Sequence, residues 1–89
     1  MANLYLIDKK YGNNGLKIAG QDKDAQIVLI QDGIYLDVKQ FENSGNKVYA
    51  VIDDVEKRGC KENMSKEIEL IDYGKLVDLI LANKVINFA

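Results

Sequence analysis

The sequence has no histidine, no proline and no tryptophan, and it holds one cysteine, Cys60. Without histidine, Ser-His and Cys-His nucleophile pairs and histidine zinc ligands are excluded. A single thiol cannot close an intramolecular disulfide. The opening "MANLYLIDKK" has too short an apolar run for a signal peptide or a membrane span, so a cytoplasmic location and no membrane partner are expected. Neither sign of charge dominates: twelve basic residues stand against fourteen acidic ones, a net charge of -2. No overall positive field draws phosphates, and direct nucleic-acid binding is disfavoured. Internal repeats, low-complexity tracts and blocks of like charge are absent as well.

What is present fits one domain spanning residues 1–89. Hydrophobic residues make up 47% of a chain whose length leaves much surface exposed after folding, so part of that apolar content is expected at an interface. At least a dimer is expected, with Tyr35, Leu36 and Phe41 as contacts. Five β-rich runs recur: "NLYLID" (3–8), "AQIVLIQ" (25–31), "KVYAVID" (47–53), "EIELI" (67–71) and "VINF" (85–88). The second and third are nearly continuous in apolar residues, as in strands covered on both faces of a parallel sheet. Between runs four and five, Tyr73, Leu76, Val77, Ile80 and Leu81 fall on one helical stripe that Asp72 can N-cap. Ile34, Val38 and Phe41 make a similar stripe, ended by "NSGN". A brief helix over 54–58 is expected after the third run, with Gly59 in the left-handed conformation. The glycine-rich "KKYGNNGLKIAGQDKD" predicts a short or irregular crossover. Alternation of strand and helix, with connections long enough for right-handed crossovers, gives an α/β fold.

Three features are candidates for chemistry. "GNNGLK" (12–17) resembles a phosphate loop, but Leu16 and Ile18 break the Walker spacing. Its Gly-x-x-Gly also matches a nucleic-acid-clamping loop, against which the strand pattern and acidic balance argue. Asp32 and Gly33 end the second run and Asp53 and Asp54 end the third, so they gather at the carboxyl edge of a parallel sheet, where α/β folds place their sites. The same residues are ordinary caps and turn formers, and paired aspartates alone are a weak metal signal. Cys60 is flanked by Lys57, Arg58 and Lys61, which favour thiolate, while the preceding helix C-terminus disfavours it. A helix running back from the third strand is expected to leave Cys60 at the amino edge, away from the site crevice.

Taken together, "VLIQDGIY" (28–35), "KVYAVIDDVEKRG" (47–59) and "IELIDYGKLVDLI" (68–80) resemble the DsrH/TusB family of the DsrE/DsrF/DsrH-like sulfur-transfer superfamily. The resemblance implies a small Rossmann-like three-layer sandwich with a mainly parallel sheet of four to five strands. It also implies a subunit of a sulfur relay, passing persulfide sulfur towards tRNA wobble-uridine 2-thiolation or acting in sulfur oxidation. DsrE/DsrF-like (TusC/TusD-like) subunits and a sulfur-carrier protein are the implied partners, and no cofactor or metal is expected. In persulfide-carrying relatives the cysteine lies eight residues before the glycine of the Arg-Gly pair, which is Val51 in this chain. A second family cysteine aligns with Gly15. Neither position holds a thiol, so an accessory, non-catalytic subunit is the expected role. The alternatives are a persulfide carrier using Cys60 and a stand-alone homo-oligomer that binds a small ligand.

Overall fold

The computed structural model of the chain describes residues 3–35, 46–59 and 68–88. Strands β1 (Asn3–Ile7), β2 (Ala25–Leu29), β3 (Lys47–Val51), β4 (Ile68–Ile71) and β5 (Lys84–Phe88) form one sheet in the order β4-β3-β2-β1-β5. Every pairing is parallel, with Asn3 opposite both Ala25 and Lys84, and Val48 opposite both Ile27 and Ile68. Helices α1 (Gly12–Ala19), α2 (Ile52–Lys57) and α3 (Tyr73–Ala82), with 3₁₀ turns at Lys9–Tyr11 and Gln31–Tyr35, complete the α/β architecture.

Strand order decides which helix covers which face. From β1 to β4 the chain steps in one direction, so right-handed crossovers put their helices on one side; β5 then returns past all three to pair with β1, which puts α3 on the other. The two cores follow this division. On one face Leu16 and Ala19 of α1, Ile34 of the second 3₁₀ turn and Val55 of α2 pack on Tyr5, Ile7, Ile27, Leu29, Val48 and Ala50. On the other, Leu76 and Leu79 of α3 lie over Leu4, Val28, Tyr49, Val51 and Ile71. The apolar runs of β2 and β3 are therefore inner strands buried on both faces, as their composition predicts.

The first crossover is more regular than its glycines suggest. Instead of an irregular segment it forms α1, with Gly12, Gly15, Leu16 and Ala19 buried at helical spacing. A Cβ on Gly15 would come within 3.0–3.2 Å of the Phe88 side chain. Glycine there lets α1 approach β5 closely, and that packing offsets its roughly 1 kcal/mol helix penalty. The "GNNG" stretch is thus the first turn of a helix rather than a flexible loop.

A second difference concerns α3. Asp72 is its N-cap, accepting from the Lys75 amide at 2.8 Å, as expected. The predicted inward stripe, however, is mostly outward: Tyr73 and Val77 are each 52% exposed, Ile80 36% and Leu81 79%. Leu79, absent from that stripe, is the buried residue, with Leu76 half-buried beside it. At about 100° per residue the apolar side chains of α3 span an arc of about 200°, wider than one packing face needs, so periodicity alone does not select the part that docks on the sheet. Helix α2 begins at Ile52, two residues before the expected 54, and Gly59 follows it at φ 64, the left-handed conformation foreseen for it. In the Ile34, Val38 and Phe41 stripe, Ile34 is buried in a 3₁₀ turn, whereas Val38 and Phe41 lie outside the described residues.

Candidate functional site at the carboxyl edge of the sheet

The carboxyl ends of β2 and β3 are adjacent, and the segments leaving them are tied together by side chains. Gln31 turns the chain after β2 at φ 49, a left-handed conformation that a non-glycine residue holds only at a cost. Its amide donates to Asp54 Oδ2 at 2.9 Å, from the first turn of α2. Arg58, just past the end of α2, donates through Nε to Asp32 Oδ1 at 2.8 Å, and its Nη1 lies 3.6 Å from Asp54 Oδ1. The guanidinium thereby joins both carboxylates, and its pKa is raised first of all by the hydrogen bond to Asp32. Gly33 completes the turn, its amide donating to Ile30 O at 2.8 Å. A Cβ there would lie 2.3 Å from Ile7 O, so only glycine fits against the end of β1.

Of the residues singled out from sequence, Asp32, Gly33 and Asp54 are brought together, and Arg58 joins them. Asp53 is exposed in the first turn of α2 and Tyr35 is exposed at the end of the 3₁₀ turn. Lys57 is exposed in the last turn of α2. Leu36, Phe41, Cys60 and Lys61 lie outside the described residues. Asp53 and Asp54 do not cap α2; its N-cap is Val51, with no side-chain cap bond. Nor does α2 carry the chain to the amino edge as expected. Six residues advance about 9 Å, roughly half the length of a five-residue strand, and Arg58 still reaches Asp32 at the carboxyl edge.

Chemically, the cluster holds its charges against one another. Its carboxylates engage a guanidinium and an amide, an arrangement that fixes a loop and its surface, and the described residues contain no group of three or more metal-ligating side chains. Val51, one of the two positions that the resemblance sets against a cysteine, sits at the junction of β3 and α2 and is fully buried. Gly15, the other such position, faces Phe88 with no room for a side chain unless the ring moves.

A second network, at the amino edge, was not read from the sequence. Asp22 accepts from Asn3 Nδ2 at 2.6 Å, Tyr5 OH at 3.0 Å and the Asp24 amide at 2.9 Å. Asn46 Nδ2 donates to Asp22 O and Ala25 O, tying the approach to β3 to the same turn. The bond from Asn3, followed by that from the Asp24 amide, lowers the Asp22 pKa; burial, then the bond to Asp22, raises that of Tyr5. The polar turn "QDKD" (21–24) is the sequence signal that points to it.

Comparison with known proteins shows the family and the fold. The family described as "DsrH like protein" matches residues 15–86. Protein TusB of Buchnera aphidicola subsp. Acyrthosiphon pisum (strain 5A) is 36% identical over 62 residues, a match covering 70% of this chain and 63% of that relative's length. The crystal structure of the ychN protein from E. coli superposes with a TM-score of 0.82 over 99% of both chains at 14% identity, a likeness of fold. No helix among the described residues is long and apolar enough to cross a membrane. With a family match over most of its length and a relative at more than a third identity, the chain belongs to the DsrH family.

Proposed function

We propose that the chain is an accessory subunit of a sulfur-relay complex, one that completes an oligomer with DsrE/DsrF-like subunits and shapes the surface where a thiol-bearing sulfur carrier docks. The observation that carries this reading is the state of the two positions that the resemblance sets against cysteines: Val51 is fully buried and Gly15 is packed against a ring. The carboxyl edge supports it further. A loop pinned by Arg58, Asp32 and Asp54, with Tyr35 exposed beside it, offers a fixed docking surface with no thiol among the described residues. Arg58 also gives its charge to Asp32 and Asp54, which weakens the case for Cys60 as a thiol activated by neighbouring cations. The persulfide arrives on a partner, and its destination is tRNA wobble-uridine 2-thiolation or a step of sulfur oxidation.

The test is reconstitution with DsrE- and DsrF-like partners and a sulfur donor, followed by mass spectrometry of each chain. Persulfide is expected on a partner, with near-normal transfer when this chain carries Cys60→Ser. Stoichiometric persulfide on Cys60, with a thiol pKa below about 7, would make this subunit the carrier instead.

A further inference from the structure

We infer that Asn14 and Gly15 form a modification site in the chain itself: the pair closes to a succinimide and deamidates in the unfolded protein, and packing of α1 against Phe88 shuts the reaction off. This holds whatever the subunit does in a relay. The starting point is "GNNG", which contains the one Asn-Gly pair of the sequence. In such a pair the glycine amide nitrogen attacks Asn14 Cγ, an N–C bond forms, the Cγ–Nδ2 bond breaks, and ammonia leaves with the amide proton. Water then opens the ring at either carbonyl, giving aspartate or isoaspartate. Glycine favours the attack because no Cβ screens its nitrogen and its backbone turns freely.

Solvent reaches the Asn14 side chain, which is exposed, so the folded chain is protected by its backbone and by Gly15, which is buried. Three features act together. Helix α1 begins at Gly12, and its geometry pairs the Gly15 amide with the carbonyl of the N-cap, Tyr11, which engages the attacking nitrogen. Ring closure also needs rotation about Asn14 ψ well away from the helical value of about -42°. That rotation would swing Gly15 into Phe88, whose side chain would already stand 3.0–3.2 Å from a Cβ on Gly15 and whose ring is stacked on Tyr5 at a centroid distance of 6.1 Å. Phe88 closes β5, so protection is complete only when the two ends of the chain have met. The products differ in consequence. Aspartate leaves the backbone unchanged and puts a negative charge in the first turn of α1, where the helix dipole favours it. Isoaspartate adds a carbon–carbon bond of about 1.5 Å to the main chain before Gly15, and the Phe88 contact has no space to absorb it.

Peptide mass spectrometry tests this on the chain incubated in mildly alkaline buffer, native and in guanidinium chloride. Deamidation at Asn14 is expected in the unfolded sample and should be slower by more than about tenfold in the native one, since it waits on local opening of α1. Phe88→Leu should speed the native reaction several-fold while keeping the circular dichroism spectrum. The variant Asn14→Asp should melt as the wild type does, whereas the purified isoaspartate form should refold to a less stable protein. An unfolded chain that stays intact at Asn14 overturns the inference, as does a native chain that reacts as fast as the unfolded one. A Phe88→Leu chain that folds and reacts no faster than the wild type overturns the part assigned to the ring. If that variant misfolds, the isoaspartate form decides instead: refolding to wild-type stability refutes the Gly15–Phe88 lock. Sulfur transfer is not read in any of these measurements, so the relay proposal stands or falls separately.

Discussion

Gly33→Ala should be among the most damaging single-methyl additions in this protein, and the structure supplies its magnitude. The new Cβ would stand 2.3 Å from Ile7 O, 3.1 Å from Asp8 Cα and 3.2 Å from Ile7 C, all backbone atoms at the end of β1. Relief requires a shift of about 0.7 Å between the turn and the strand, because backbone cannot rotate aside as a side chain does. That same carbonyl accepts the Ile30 amide at 3.1 Å, and the Gly33 amide donates to Ile30 O at 2.8 Å, so the shift strains two hydrogen bonds as well. Overpacking of this kind costs about 3 kcal/mol, against a total of about 4–13 kcal/mol for a chain of this length. Urea unfolding followed by far-ultraviolet circular dichroism should show the loss as a lower midpoint at unchanged slope, and melting should fall by about 12–24 °C. Gly59→Ala is the control. Gly59 also has positive φ, but nothing lies within 4 Å of its Cβ direction, so the cost should be only about 1 kcal/mol. A Gly33→Ala protein no less stable than Gly59→Ala would refute the close approach.

Leu79→Ala should lose about 2–4 kcal/mol whereas Leu81→Ala, within one protomer, should change stability by less than about 0.5 kcal/mol; chemical denaturation at low protein concentration separates them, and the reverse ranking would mean that α3 docks by its other face. Asp54→Ala should cost about 1–3 kcal/mol by leaving the Gln31 amide without its acceptor, and hydrogen exchange at that amide should quicken; unchanged exchange would rule out the clamp. The Asp22 carboxyl is held below its ordinary 3.8, so its contribution is complete above that value and is lost as pH falls through the lower folded one. Asp22→Asn should accordingly flatten the acid side of a stability profile, and parallel profiles would speak against the network. Tyr5 has the opposite sign: its pKa is raised above 10.0, so its contribution is complete below 10.0 and is lost as pH rises through the folded value; Tyr5→Phe should shallow the alkaline limb in the same titration.

Much of the architecture is legible in the sequence because strands and caps are local. The continuous apolar runs of β2 and β3, the Asp72 cap and the left-handed Gly59 each follow from a few neighbouring residues. Helix α1 was hidden because its inward face uses glycine, which scores as a breaker although close packing against Phe88 is what needs it. The docking face of α3 was hidden for the reverse reason: too many of its side chains are apolar for periodicity to choose among them. At the candidate site, residue type and strand-end position were enough to bring Asp32, Gly33 and Asp54 to the carboxyl edge of the sheet. Arg58 as their partner depends on how far a six-residue helix travels, which no local pattern encodes.

The place of β5 has a consequence for how the chain reaches this structure. Strand β1 lies between β2 and β5, yet Asn3 meets Lys84 only after every other element has been traversed. Until then the β1–β2–β3–β4 sheet displays one flank of β1 as a row of unpaired backbone groups. Pairing so distant in sequence, and parallel, is slow to form because its loop-closure entropy must be met before any contact rewards it. The interval before β5 docks is therefore the period of greatest exposure to misassociation, when the open flank of β1 can accept a strand from another chain. Shortening that interval, by strengthening α3 or the α3–sheet contact through Leu79, should raise the yield of refolding more than it raises the stability of the finished fold.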